Sequence, residues 1–197
     1  MAREVGLGGQ GIAGAQGSGN DALLNQVRDL NDVTREIEIN LNGPVRMVQQ
    51  FLPHLKTRKG ALIVNVSSGL AFIPFPASPV YSATKAAIHS FTQSLRVQLD
   101  GTSVTVIELA PPAVETPLLR GEFADEMKGQ KGMDVTALAK SAIAGIEAGK
   151  LEIRPGLANV LKIMSRIAPQ LMLKQIVKMS KPKNVTLPSI KGISTSS

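Results

Sequence analysis

The sequence predicts an α/β fold built on a parallel sheet, and three observations carry that prediction. Residues 61–66 (ALIVNV) and 103–109 (SVTVIEL) are short β-branched runs of the kind that forms strands buried on both faces. Stretches with apolar residues at three- and four-residue steps precede, separate and follow them. The order helix, strand, helix, strand then implies parallel strands joined by right-handed crossovers, with ligands at the carboxyl ends of the strands.

Taken in order, residues 1–28 form a glycine-rich irregular leader without helical or strand periodicity. They include Gly6-Leu7-Gly8-Gly9-Gln10-Gly11, a formal G-x-G-x-x-G, but residues 1–5 are too short and polar for the buried strand that this motif needs before it. A long helix starts near Asn31, capped by Asn31 or Asp29, and is apolar at Ile37, Leu41, Val45, Val48, Leu52 and Leu55. Pro44 lacks an amide hydrogen and clashes one turn back, so the helix is expected to loosen near Asn40, and Pro53 with residues 57–60 marks its end. After the 61–66 strand, Ser67-Ser68-Gly69 and a proline-rich loop lead into a helix over 80–99, which stops at Asp100-Gly101.

Beyond the 103–109 strand, residues 116–131 read as a mobile flap, 134–148 as a helix capped by Asp134 or Thr136, and 151–153 as a short last strand. Residues 157–178 are amphipathic through Val160, Ile163, Met164, Ile167, Leu171 and Ile176, with Pro169 as an interruption. Residues 29–180 are thus the main unit, and 181–197 a disordered basic tail.

Composition narrows the chemistry. At 197 residues and 43% hydrophobic, the chain suits one globular domain. It has no cysteine and two histidines, His54 and His89, which leaves no disulfide, thiolate nucleophile or metal site and points to a reducing, cytoplasmic setting. The histidines are expected to be structural or exposed. A net charge of +7 raises nucleic acid as a partner, but the basic residues are scattered and aromatics are only 3%, so none is expected. No run approaches the ~20 apolar residues of a membrane span. Residues 157–178 carry Lys162, Arg166, Lys174 and Lys178 among their apolar positions, which is the pattern of a helix lying on an anionic membrane. Pro169 and the absence of tryptophan favour core or dimer packing for that stripe.

The reactive candidates gather in residues 68–85. Tyr81 is the only tyrosine, Lys85 follows it by one helical turn, and Ser68 lies thirteen residues before it. A cation beside a phenol favours the phenolate, which makes Tyr81 a usable proton donor and acceptor near neutral pH. Asn40, Ser68, Tyr81 and Thr116 all fall where one crevice at the strand ends can collect them.

These pieces in this order resemble the short-chain dehydrogenase/reductase family. The match rests on Tyr81-x-x-x-Lys85, Ser68 at the end of a buried strand, Asn40-Leu-x-Gly on the preceding helix, and Pro111-Pro112 with Thr116 after the next strand. It runs from about residue 31 to at least 156. The wording EIEINLNGPVRMVQQFLPHLK and EIRPG is similar to the bacterial branch often labelled DltE-like. The resemblance implies a Rossmann-type doubly wound parallel sheet and an NAD(P)-dependent oxidoreductase acting on a small carbonyl or alcohol. It implies Tyr81 as general acid/base, Lys85 lowering its pKa and holding the nicotinamide ribose, and Ser68 on the substrate oxygen. It further implies Asn40 holding a water that links Lys85 to solvent, and Thr116 on the nicotinamide amide beside Pro112 and Ala113. Ala113 stands where the family usually has glycine. The expected pocket is apolar, lined by Leu70, Phe72, Ile73, Pro74, Phe75 and the flap, and helices 31–57 and 80–99 are expected to pair two chains as a homo-oligomer.

One departure bears on the whole. The family begins with further strands and a second nucleotide-binding strand, yet thirty-nine residues precede Asn40 and none reads as a strand. The fold expected is therefore a partial Rossmann-type sheet lacking the first strands of the dinucleotide-binding half, with an unpaired edge. NAD or NADP binding by this chain is expected to be weak or absent. The alternative function is a catalytically inactive remnant that acts by association with a homologous chain.

Overall fold

The structure, a computed structural model, describes residues 5–8, 29–121, 129 and 131–179. Most of the leader, most of the expected flap and the basic tail lie outside the described residues.

Four parallel strands make one sheet in the order β1 (Val5–Gly8), β2 (Ala61–Val66), β3 (Val104–Leu109) and β4 (Glu152–Ile153). β1 corrects the expectation that no strand precedes Asn40. It falls inside the glycine motif and pairs Val5 with Leu62 through Gly8 with Asn65. Glycine weakens a strand because it brings no side chain to pack. Here the open ladder of β2 supplies the backbone partners that local sequence does not advertise, and it leaves β2 covered on both edges.

Strand alternation divides the core in two. Ala61, Ile63, Val104 and Val106 point to one face, where Leu95, Leu99 and Phe91 of α3 (Pro79–Gln98) meet Val48, Leu52 and Leu55 of α2 (Gly43–Lys56). Leu62, Val64, Ile107, Leu109 and Ile153 point to the other, under Leu138, Ala142 and Ile146 of α5 (Val135–Glu147). Each such side chain fully buried contributes about 1.5–3 kcal/mol. Because the strand order advances in one direction while α3 and α5 lie on opposite faces, the β3–α5–β4 crossover has the opposite hand to the β2–α3–β3 crossover. The expectation of uniformly right-handed crossovers is corrected at that step.

The helix entries follow the sequence. Asp29 caps α1 (Leu30–Ile37), accepting from the Asn31 amide at 2.9 Å, and Asp134 caps α5 through Ala137 at 3.0 Å. Between α1 and α2, residues 38–42 form a π-helical turn in which the Gly43 amide reaches back to the Glu38 carbonyl. That is the loosening expected from Pro44, since residue 44 has no N–H for the Asn40 carbonyl. α2 ends at Lys56, directly before residues 57–60 as expected, with Pro53 still inside its last turn. Pro53 sits on the exposed side of the helix. Pro169 divides the last amphipathic stretch into α6 (Leu157–Ile167) and α7 (Pro169–Met179), with Ala168 between. A short helix, α4 (Pro117–Gly121), follows β3. No described helix is long and apolar enough to cross a membrane.

Candidate active site

The carboxyl ends of β2 and β3 are stitched together where the sequence places Ser68. The Ser67 amide donates to the Leu109 carbonyl at 2.9 Å, and the Gly69 amide to the Pro111 carbonyl at 2.8 Å. Ser68 itself is buried, and its hydroxyl oxygen accepts from the Leu70 amide at 3.1 Å, capping a single 3₁₀ turn over Gly69–Ala71. Glycine fits closely at 69: a Cβ would stand 3.1 Å from Leu161 Cδ1 and 3.4 Å from Ala158, because α6 packs over the turn.

Tyr81 and Lys85 lie on successive turns at the start of α3. Lys85 Nζ donates to the Val66 carbonyl at 3.3 Å and stands 5.5 Å from the centre of the Tyr81 ring. The ammonium therefore bridges the tyrosine and the strand that delivers Ser68. Burial drives the Lys85 pKa down from 10.5 to about 8, and the Glu36 carboxylate pushes back against that fall.

Asn40 is buried in the π-helical turn, which packs against α3. Its side-chain Nδ2 has no hydrogen-bond partner. An orphaned buried donor costs about 1–3 kcal/mol, so its retention next to the Tyr81–Lys85 helix marks a position that expects an acceptor. Lys85 thus joins Tyr81 to the end of β2 next to Ser68, and the turn that holds Asn40 packs on the same helix.

The second group is placed differently. Pro112 is half-buried and Ala113 exposed in the loop after β3. No non-glycine residue described has positive φ, so alanine at 113 is accommodated without backbone strain. Thr116 uses its hydroxyl locally, donating to the Val114 carbonyl and accepting from the Leu119 amide, both at 3.3 Å, to cap α4. Beside it, Glu115 accepts from Arg120 and from the Gly132 amide, at 2.5 Å each, which ties the β3 exit loop to the segment entering α5. Those bonds hold the Glu115 carboxyl below its usual range. Arg120, at the start of the expected flap, is therefore an anchored residue.

A cavity of about 410 Å³ lies under the proline-rich loop, lined by the expected Leu70, Phe72, Ile73, Pro74 and Phe75. Its helical wall is Ser82, Ala83 and Ala86, which project about 100–200° around α3 from Tyr81. The cavity is apolar as expected but adjoins Tyr81 rather than opening onto it.

Sequence reasoning missed one polar network. Glu108, on β3, is 1% exposed. It accepts from the Ser67 hydroxyl at 2.5 Å and pairs with His89 Nδ1 at 2.7 Å. Gln93 contacts the other ring nitrogen at 3.3 Å, and the Phe72 ring meets the imidazole edge-on at 5.0 Å between centres. His89 is accordingly a half-buried joint between α3 and β3. The signal was Glu108 itself, a charge inside an otherwise apolar strand, which folds only if it is paired. Among the described residues no group of three or more metal-ligating side chains occurs.

Comparison with known proteins agrees with this geometry. A family model described as short chain dehydrogenase matches residues 12–127. An uncharacterized oxidoreductase, DltE, of Bacillus subtilis is 45% identical over 118 residues, which are 60% of this chain and 47% of that protein. An uncharacterized oxidoreductase of Staphylococcus epidermidis is 32% identical over 143 residues, or 70% of this chain and 62% of its own length. The chain therefore spans about half to three-fifths of the length of these two relatives. Among solved structures, a short chain dehydrogenase from Burkholderia cenocepacia in complex with NADP superposes with a TM-score of 0.67 at 26% identity, covering 82% of this chain and 67% of that one. The match to the family model and the DltE relative, together with the parallel sheet, establish that this chain belongs to the short-chain dehydrogenase family, in its DltE-like branch.

Proposed function

We propose that the chain supplies the proton-transfer and substrate-holding part of an NAD(P)-dependent oxidoreductase acting on a small carbonyl or alcohol. The observation that carries this reading is Lys85: a half-buried lysine with a pKa near 8, one turn from Tyr81 and anchored on the strand end beside Ser68.

Each residue then has a task. Reduction of a carbonyl builds negative charge on its oxygen, and Tyr81 delivers the proton that quenches it while the Ser68 hydroxyl orients the same oxygen. At pH 7 Lys85 is still mostly protonated, so it presents a cation to the phenol and favours the phenolate left after transfer. Asn40, with its orphaned Nδ2, holds a water through which Lys85 recovers its proton. When bound, NAD or NADP supplies or accepts the hydride, chemistry that no side chain offers. The residues present fit it: one Lys85 N–H goes to Val66 and others remain for the ribose hydroxyls, while Pro112, Ala113 and Thr116 lie on the loop that would face the nicotinamide. The Burkholderia cenocepacia relative with NADP and a 3-ketoacyl-(acyl-carrier-protein) reductase from Brucella melitensis with NADH, 27% identical at a TM-score of 0.57, support either nucleotide. Pairing of two chains through residues 31–57 and 80–99 belongs to the same reading, since Met47 and Phe51 of α2 are half-exposed.

The test is consumption of NADPH or NADH with a panel of aldehydes and ketones, comparing wild type with Tyr81→Phe. The variant is expected to lose at least a hundredfold in kcat, as removal of a positioned general acid does. Equal rates in the two proteins would sink the proposal.

A further inference from the structure

The charges of the chain are divided unevenly. Beyond Glu152 the sequence holds eight lysines and arginines and no aspartate or glutamate, so the net +7 arises in that segment and the remainder is close to neutral. The two helices described there are α6 and α7, and their outward faces are unusual. Leu157, Val160, Ile163 and Ile167 recur at three- and four-residue steps on one side of α6 and are 69%, 51%, 48% and 73% exposed. Ala158, Leu161 and Met164 fill the opposite side against the 3₁₀ turn and its surroundings. Past the break at Ala168, Leu171 is 62% exposed, and Lys174 and Lys178 follow it on the same exposed face of α7.

Of the core or dimer packing expected for the stripe, packing into the core is corrected: among the described residues nothing covers it. The orientation is also fixed. Lys162 Nζ pairs with Glu152 at 2.6 Å and lies 5.3 Å from the centre of the Phe72 ring, which pins α6 to β4 and to the loop beside the site with its apolar side outward. Arg154 and Arg96 share that carboxylate. Burial opposes its ionisation, but Lys162, with Arg154 and Arg96, holds the Glu152 carboxyl below its usual range, so the anchor is charged at neutral pH. Lys162 and Arg154 are thus committed to the anchor, whereas Arg166, Lys174 and Lys178 are exposed.

We propose that α6 and α7 form a docking surface for an anionic lipid bilayer, with Leu157, Val160, Ile163 and Ile167 entering the headgroup boundary and Arg166, Lys174 and Lys178 meeting lipid phosphates. An apolar helical face flanked only by cations is the composition that binds such a surface, and a protein partner of this chain's own kind would have to bring the segment's like charges together. The site lies one layer beneath, since α6 covers the turn that Ser68 caps. The inference stands whether or not the chain turns over substrate.

The experiment is co-sedimentation of the full 197-residue chain with sucrose-loaded vesicles of phosphatidylcholine alone or with about 30% phosphatidylglycerol, with a lipid-free control for self-pelleting. Binding is expected to the mixed vesicles at 0.1 M salt, to be at least tenfold weaker on pure phosphatidylcholine, and to fall again at 0.5 M salt. Ile163→Asp with Ile167→Asp, and separately Arg166→Glu with Lys174→Glu and Lys178→Glu, are each expected to lose tenfold or more in partitioning with unchanged circular dichroism. These positions are exposed, so both variants are expected to fold. Equal binding to the two vesicle types, or binding that survives both variants, overturns the proposal. So does finding no vesicle binding together with a concentration-dependent dimer that Ile163→Asp/Ile167→Asp disperses, because the stripe is then a protein interface.

Discussion

Replacing Lys85 by methionine should make the protein more stable at neutral pH while removing the cation on which the proposed chemistry depends. In the folded chain the lysine loses its proton near pH 8, and in the unfolded chain near 10.5. Between those values the unfolded chain binds the extra proton, so raising the pH favours the folded state. The folded pKa is depressed, so the charge penalty is present in full below about pH 8 and disappears as pH rises to 10.5. The separation corresponds to roughly 3 kcal/mol at about 1.4 kcal/mol per tenfold change. Methionine keeps an unbranched apolar stem of similar length and carries no charge to bury. It gives up the bond to the Val66 carbonyl and the contact with the Tyr81 ring, which together return about 1–2 kcal/mol.

Urea unfolding of wild type and Lys85→Met at half-unit steps from pH 7 to 10.5 reads this directly, because other titrating groups cancel in the difference. Wild type should gain roughly 3 kcal/mol on the variant across that range. With m-values of about 1–3 kcal/mol/M, this moves the midpoint difference by about 1–3 M. A difference that stays flat within about 0.5 kcal/mol would refute the burial argument, and a variant that gains on wild type as pH rises would reverse its sign.

Two further predictions concern polar groups held inside the fold. Glu108→Ala leaves the Ser67 hydroxyl and His89 unpaired in a buried site and should cost about 3–5 kcal/mol, whereas Glu108→Gln keeps an acceptor for Ser67 and should cost less than about half of that; equal losses by chemical denaturation would show that the network is not what the carboxylate supports. Asn40→Leu removes the donor proposed to hold the water that serves Lys85 and should lower kcat by about tenfold or more, and wild-type turnover in the variant would detach Asn40 from the proton path.

How much of this was legible in the sequence depended on how local each cause was. The strands at 61–66 and 104–109, the caps at Asp29 and Asp134 and the break at Pro169 are each set by a handful of adjacent residues, and each is where the pattern puts it. β1 was not legible because its cause is remote: Gly6 and Gly8 have no strand preference, and only the free edge of β2, more than fifty residues on, makes them extended. The opposite-handed step to β4 was hidden for the same reason, since only packing of Leu138, Ala142 and Ile146 on the far face decides it. At the site, the Tyr81–Lys85 spacing gave the pair itself. Nothing in the spacing tells that His89, one turn further on, would turn inward to a carboxylate on the neighbouring strand.

The best-read link runs from Pro44 to Asn40, and it shows why a local rule reaches a distant site. A proline without an N–H cannot close the α-helical bond to the residue four before it, so the ring at 44 is incompatible with a regular turn over 40–44. The chain answers with the Gly43-to-Glu38 bond of a π turn. Such a turn inserts an extra residue into the helical repeat and rotates its side chains relative to α1 and α2. The residue swung inward is Asn40, buried against the helix that carries Tyr81 and Lys85 with one donor unspent. Had residue 44 been alanine, an unbroken helix from 30 to 56 would have been the more stable local solution by about 3 kcal/mol. The proline therefore acts on the site through helical phase alone, from a position that touches none of the reacting groups proposed here.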